Sequence, residues 1–188
     1  DRVVVSTDGE EIAKVAKKYG ADVPFLRPNY LASDTSKTID CVMHCIEELQ
    51  SIDDKYDYMI LLQPTQPLRE SYHIDEAIEL MLEKNAEGLV SICKVKENPI
   101  LMRTLNEEGG MSNLLSTSST QRRQDFKVYY RVNGVIYINK INENLNLNTS
   151  LNDNKLPYIM EQKYSVDIDE LLDIKIAKLM IKEIELTK

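Results

Sequence analysis

The chain has 188 residues, 43% apolar and 29% charged. That suits one globular domain of about 100 to 200 residues and excludes both wholesale disorder and a disulfide mini-scaffold. Acidic side chains, 31 against 23 Lys and Arg, give a net charge of -8, which argues against nucleic acid or an anionic membrane as partner. The longest apolar runs, such as Tyr58 to Leu62, fall far short of the roughly 20 residues a membrane helix needs.

In chain order, Val3 to Val5 predict a buried strand already under way at the first residues, so a segment preceding Asp1 is expected. Ser6-Thr7-Asp8-Gly9 then turns the chain into a helix carrying Ile12, Val15, Ala16 and Tyr19, with Asp8 as its expected cap and Gly20 as its stop. A short strand over Asp22 to Phe25 follows. Arg27 to Lys37 has turn residues and no apolar period, which predicts an ordered loop long enough to serve a ligand.

Ile39, Val42, Met43, Ile46 and Leu49 mark a second helix, and Tyr58 to Leu62 a strand of the kind buried on both faces. Ser71 is the expected cap of a third helix through Leu82, before a strand at Leu89 to Val95. Three strand-helix units in a row predict an α/β domain with a parallel, right-handed, helix-flanked sheet. Leu105 to Gln124, rich in Asn, Gly, Ser and Thr, is expected to be a mobile insert. Strand character returns at Val128 to Ile138, where Asn133-Gly134 marks a bend or a close backbone approach. Asn142 to Asn154 reads as loop, Tyr164 to Ile168 as strand, and a last helix runs through Ile184. No repeat or linker divides the chain, so one domain over 1–188 is expected.

Asp167 and Asp169 flank Ile168 at the end of the last expected strand, where alternation would put both carboxylates on one face. Two hard oxygen ligands there suit magnesium that also binds nucleotide phosphates. Spacing leaves a second reading open, in which Asp169 caps the next helix and Asp167 is a surface charge. Gln63-Pro64-Thr65-Gln66-Pro67-Leu68-Arg69 leaves the end of a buried strand, the edge at which open α/β sheets bind ligands. Its prolines would stiffen Gln63 in place, while a structural salt bridge is the favoured reading of Arg69. Arg122, Arg123 and Arg131 cluster in an acidic chain and suit a carboxylate or phosphate, and Arg131 and Asn133 share one strand face.

Cys41, His44 and Cys45 match no usual zinc spacing, and neither His44 nor His73 lies near a nucleophile signature. With Cys93 the thiols number 3, too few for a secreted disulfide framework, so a reducing cytoplasm is expected.

Five segments in unbroken order, Val3-Val4-Val5-Ser6-Thr7-Asp8, Arg27-Pro28 with Ala32 to Thr35, Leu61 to Thr65, Arg131 to Tyr137 and Val166 to Asp169, resemble the acylneuraminate cytidylyltransferases, the CMP-sialic acid synthetases. The resemblance implies a Rossmann-like three-layer nucleotidyltransferase fold with a mainly parallel sheet. It also implies a homodimer whose dimerisation arm lies around 139–160. The implied activity is transfer of CMP from CTP to a sialic-type nine-carbon sugar acid, N-acetylneuraminic, legionaminic or pseudaminic, with release of pyrophosphate. Such an activity serves surface polysaccharide synthesis.

By the same resemblance Asp167 and Asp169 hold Mg2+, Arg27 and Thr38 hold the cytidine, and Gln63, Arg123, Arg131, Asn133 and Tyr137 line the sugar site. Arg123 is the expected partner of the sugar carboxylate, and Asp167, Asp169, Gln63 and Arg123 make up the catalytic set. Relatives begin with a Gly-rich basic loop absent from this sequence, and Gln66 and Asn98-Pro99 stand where they often carry Ser and His-Pro. A noncatalytic sugar-acid or nucleotide module, a dimerising domain or an inactive fragment therefore remains the alternative.

Overall fold

In the computed structural model, which describes residues 1–117, 120 and 122–186, the chain divides into two units. The first joins Asp1–Leu61 to Asn139–Leu151, and the second joins Leu62–Ile138 to Asn152–Lys188.

In the first unit, the opening apolar run makes only a parallel bridge between Val4 and Asp22, with Val5 N donating to Asp22 O at 2.9 Å and Asp22 N to Val3 O at 2.8 Å. The two strands expected at Val3 to Val5 and Asp22 to Phe25 thus shrink to a single rung. Helix α1 (Glu10–Lys18) starts from Gly9 rather than the expected Asp8, with no side-chain cap. Asp8 instead lies near Arg27, whose Nη2 is 3.8 Å from its Oδ1. Gly20, at φ +88°, closes the helix in a conformation that costs glycine least. Helix α2 (Thr38–Ser51) and β1 (Tyr58–Leu61) form where expected, but β1 is not buried on both faces as expected, since Tyr58 and Ile60 are exposed. Arg2 binds both Asp22 and Asp54, tying the start of the chain to the turn after α2.

The second unit holds the larger core. Helix α3 (Ser71–Lys84) is capped one residue before the expected Ser71: Glu70 is the N-cap, and its backbone N–H donates to His73 Nδ1 at 3.0 Å in a reciprocal capping box. Strand β2 (Gly88–Lys94) lies between β5 (Tyr130–Lys140) and β6 (Leu156–Met160). β2 and β6 run parallel, with Leu89 opposite Leu156 and Cys93 opposite Met160.

β6 went unseen in the sequence because Pro157 and the Asn-rich approach hide it; at the outer position beside β2 a proline is tolerated. It also occupies the end of the stretch expected to carry the arm. The expected mobile insert contains a short antiparallel hairpin, β3 (Arg103–Leu105) with β4 (Met111–Asn113), turned by Gly109 at φ +79°. Three of its residues, 118, 119 and 121, lie outside those described.

The expected strand at Tyr164 to Ile168 is absent: Gln162–Tyr164 is a 3-10 turn and the chain then runs extended without strand partners. Its backbone is bonded piecemeal instead, Ile168 N to Thr65 O at 2.9 Å and Ser165 O to the Arg131 guanidinium at 3.1 Å. Helix α4 (Leu171–Leu186) follows. Ala77 and Met81 of α3 and Ile184 of α4 pack with Leu89, Val135, Ile136, Ile138, Tyr158 and Met160 in one apolar cluster, which anchors the strand ends and loops above it.

Candidate functional site

Asp167 sits where the extended segment passes the loop after β1, and its Oδ1 is buried with no hydrogen-bond partner among the described residues. A buried carboxylate oxygen without a donor is expensive, since water has been removed and nothing replaces it. Asp169, two residues on, is exposed, and its carboxylate makes no hydrogen bond among the described residues. Helix capping falls to Asp173, whose Oδ2 accepts from Asp169 N at 3.0 Å and Glu170 N at 2.8 Å. The reading of Asp169 as a helix cap and Asp167 as a surface charge is therefore overturned. The buried, unpaired Asp167 Oδ1, with the Asp169 carboxylate two residues on, is the kind of oxygen donor that a divalent cation takes.

Strand β5 supports this segment. Asn133, 2% exposed, accepts from Ser91 Oγ of β2 at 2.6 Å and donates to Ser165 Oγ at 2.9 Å, while Ser91 Oγ accepts from Ile136 N at 2.8 Å. Arg131 donates to Ser165 O. Asn133, expected to line the substrate site, instead turns its whole amide inward and fixes the turn before Asp167. Tyr137 is buried and donates to Asn152 Oδ1 at 2.9 Å. Burial first, and then the Asp167 charge, push its hydroxyl above the ordinary tyrosine value, so the phenol stays protonated beside that carboxylate.

Gly134 explains the bend signal at Asn133-Gly134. Its φ is +76°, and a Cβ placed on it would stand 2.6 Å from Gln63 Oε1 and 3.2 Å from Gln66 Nε2. The Gln63 side chain therefore lies directly on the strand backbone, at the corner where β5 meets the loop after β1. Arg69, expected in a salt bridge, is part-buried and instead clamps that loop: its guanidinium donates to Gln63 O at 3.2 Å and Gln66 O at 3.4 Å. Burial lowers its pKa, but an arginine stays charged.

A cavity of about 810 Å3 opens at the end of β2, with Lys94, Lys96, Arg123 and Lys127 on its walls against one carboxylate, Glu97. Asn98 spans it, accepting from Ile100 N at 3.1 Å and donating to Lys127 O at 3.0 Å. Arg122 is paired with Asp125 at 2.8 Å. The Arg123 guanidinium makes no hydrogen bond or ion pair among the described residues and remains available to an anion. Lys94, Lys96 and Lys127 were missed from the sequence because isolated lysines carry no spacing signal.

In the first unit, Arg27 lies against the opening turn of α2, donating to Cys41 Sγ at 3.2 Å, and its buried Nε has no partner. Thr38 is the first residue of that helix and exposed, three residues before the Cys41 that Arg27 contacts. Ser6 Oγ is also buried and unpartnered. His44 stacks edge-on against Phe25, and the Cys41 thiol donates to Leu31 O.

The cytidylyltransferase family matches residues 1–186. The chain is 32% identical over 180 residues to the CMP-N,N'-diacetyllegionaminic acid synthase of Legionella pneumophila, covering 92% of this chain and 75% of that protein. It is 34% identical over 179 residues to the N-acylneuraminate cytidylyltransferase of Escherichia coli, covering 94% of this chain but 41% of that longer protein. Among solved structures, a CMP:2-keto-3-deoxy-manno-octonic acid synthetase complexed with CTP superimposes with a TM-score of 0.65 at 15% identity, over 97% of this chain and 82% of the other. At that identity the likeness establishes the fold, which is the Rossmann-like nucleotidyltransferase arrangement expected from the sequence.

Proposed function

Because the chain belongs to the cytidylyltransferase family, we propose that the full-length protein transfers CMP from CTP to the anomeric hydroxyl of a sialic-type nine-carbon sugar acid and releases pyrophosphate. The observation that carries this reading is the buried Asp167 Oδ1, which has no hydrogen-bond partner among the described residues and supports its assignment as a cation ligand. Relatives named for legionaminic, N-acylneuraminic and pseudaminic acid, each matched over at least 92% of this chain, support the substrate class and weigh against a noncatalytic module.

In this reading Asp167 and Asp169 hold Mg2+, which when bound neutralises charge on the triphosphate and the departing pyrophosphate. The residues of the chain position and neutralise the rest. Arg27 and Thr38 grip the nucleotide at the start of α2. Arg123, with the lysines of the cavity, takes the sugar carboxylate through charge-assisted hydrogen bonds. Gln63, lying on Gly134 and held by the Arg69 clamp, presents its amide to the sugar. Arg131 and Asn133 fix Ser165 and so the approach to Asp167. No covalent enzyme intermediate is needed, since the sugar hydroxyl attacks the α-phosphate directly.

The protein acts in the cytoplasm as a homodimer, with the arm formed within 139–160. No described helix is long and apolar enough to cross a membrane. Pyrophosphate release from CTP with each of N-acetylneuraminic, legionaminic and pseudaminic acid tests the reading. Turnover with one of them and not with UTP or GTP is expected, and release with none of them would overturn it.

A further inference from the structure

Gln66 is a buried polar residue that the reading above leaves without a task. It is 2% exposed, and neither its Oε1 nor its Nε2 has a hydrogen-bond partner among the described residues. A carboxamide stripped of water with nothing in return is rare in folded proteins and calls for an explanation. Its backbone is fixed at both ends, the N–H donating to Gln63 O at 3.3 Å and the carbonyl accepting from Arg69 at 3.4 Å. The residue is therefore locked in place while its side-chain head is idle.

That head faces the same point as the Gln63 amide. A single position above Gly134 lies 2.6 Å from Gln63 Oε1 and 3.2 Å from Gln66 Nε2. Gln63 is only half-buried, and its side chain also makes no hydrogen bond among the described residues. Two unpaired carboxamides thus share one small space, one at the site surface and one behind it. An amide free to turn about its last torsion presents either its oxygen or its NH2 outward, and an amide behind it with fixed backbone can select one of these.

We propose that Gln66 is a positioning residue for Gln63: the two carboxamides pair when the sugar acid engages Gln63, and Gln66 thereby sets which end of the Gln63 amide meets the substrate. This deepens the proposed function and rests on its assignment of Gln63 to the sugar acid. Gly134 is what makes room for the pair, because any Cβ there would occupy the shared space.

The test uses the full-length protein with Gln66→Met, which keeps length and burial but removes both polar atoms, and Gln63→Ala, singly and together. For Gln66→Met the KM for the sugar acid should rise about tenfold, the worth of one hydrogen bond, with the KM for CTP within about twofold. Its melting temperature should be no lower than wild type, since an unpaired buried amide has been removed. In the Gln63→Ala background Gln66→Met should change the sugar KM no further.

The inference is overturned if the sugar KM of Gln66→Met stays within about twofold of wild type, less than one hydrogen bond would shift it. Effects of the two substitutions that simply add would also overturn it, as would a fall in melting temperature with both KM values rising together, the mark of a merely structural role. A wild-type protein that turns over none of the sugar acids would remove the functional reading and this inference with it, whereas normal wild-type turnover with an indifferent Gln66→Met overturns the inference alone.

Discussion

Replacing Asp167 by Asn separates the chemistry of the site from its stability. The substitution keeps shape and burial but removes the charge and weakens the oxygen that has no donor of its own. A positioned divalent ion supplies several kcal/mol of transition-state charge stabilisation. Losing about 3 to 4 kcal/mol of that corresponds to a drop of roughly 10^2 to 10^3 in kcat/KM at about 1.36 kcal/mol per decade. Stability should move the other way. An unpaired buried polar atom costs about 1 to 3 kcal/mol, and an amide costs less to bury than a carboxylate.

At about 2 to 4 °C per kcal/mol for a chain of this size, the melting temperature of Asp167→Asn should match or exceed that of wild type by a few degrees. Adding Mn2+ should raise the melting temperature of wild type and leave that of the variant unchanged, because only an ion that binds the folded state shifts the equilibrium. Pyrophosphate-release kinetics and thermal scans on the same preparations give all three numbers. Turnover within about threefold of wild type, far from the several kcal/mol a metal ligand supplies, would refute the reasoning, as would a melting temperature that falls in step with activity.

The other predictions concern the supports of the site. Gly134→Ala forces a Cβ to within 2.6 Å of Gln63 Oε1 at a φ of +76°; we expect a loss of about 1 to 3 kcal/mol in denaturant unfolding together with a raised KM for the sugar acid. Arg69→Met removes the clamp on the carbonyls of Gln63 and Gln66, so the sugar KM should rise while the secondary structure seen by circular dichroism is retained. Arg123→Ala should raise the sugar KM by about 10 to 100-fold, the worth of a charge-assisted hydrogen bond, and added salt should narrow the difference from wild type.

His73 governs the pH response of α3. Burial depresses its pKa, opposed by Glu76, Glu70 and Glu161, and its Nδ1 must stay unprotonated to accept from Glu70 N. The unfolded chain therefore binds a proton near the ordinary histidine value of about 6.5 that the folded chain refuses. Stability should be flat above that pH and fall as the pH drops through it until the folded pKa is reached. His73→Gln should flatten this slope in urea titrations.

The helices and half of the strands, β1, β2 and β5, were legible because their signals are local. Ile39, Val42, Ile46 and Leu49 face one way on α2 whatever packs against them, and Leu89, Val90, Ile92 and Cys93 make a nearly unbroken apolar run because β2 is buried along most of its length. The failures share a cause. Tyr164 to Ile168 has the alternation of a strand, but its carbonyls and N–H groups pair with a side chain of β5 and a loop carbonyl, partners far away in sequence. β6 fails the pattern through Pro157 yet forms because β2 offers it an edge.

The same distinction runs through the site. Asp167 and Gln63 were singled out from residue type and position at sheet ends and Arg123 from a basic cluster, whereas the division of labour among them depends on who is already satisfied. Asn133 and Arg131 belong to the same motif, yet Asn133 is fully paired inward and Arg131 bonds to a backbone carbonyl. Asp167 and Gln66 have the opposite property, polar atoms out of water with no partner. Each such group calls for a partner, a cation for Asp167 and the Gln63 amide for Gln66 in the readings above. Unmet hydrogen-bonding capacity therefore marks residues whose partner arrives only with a ligand, directly for Asp167 and through Gln63 for Gln66, and it can be read only once the fold has assigned every neighbour.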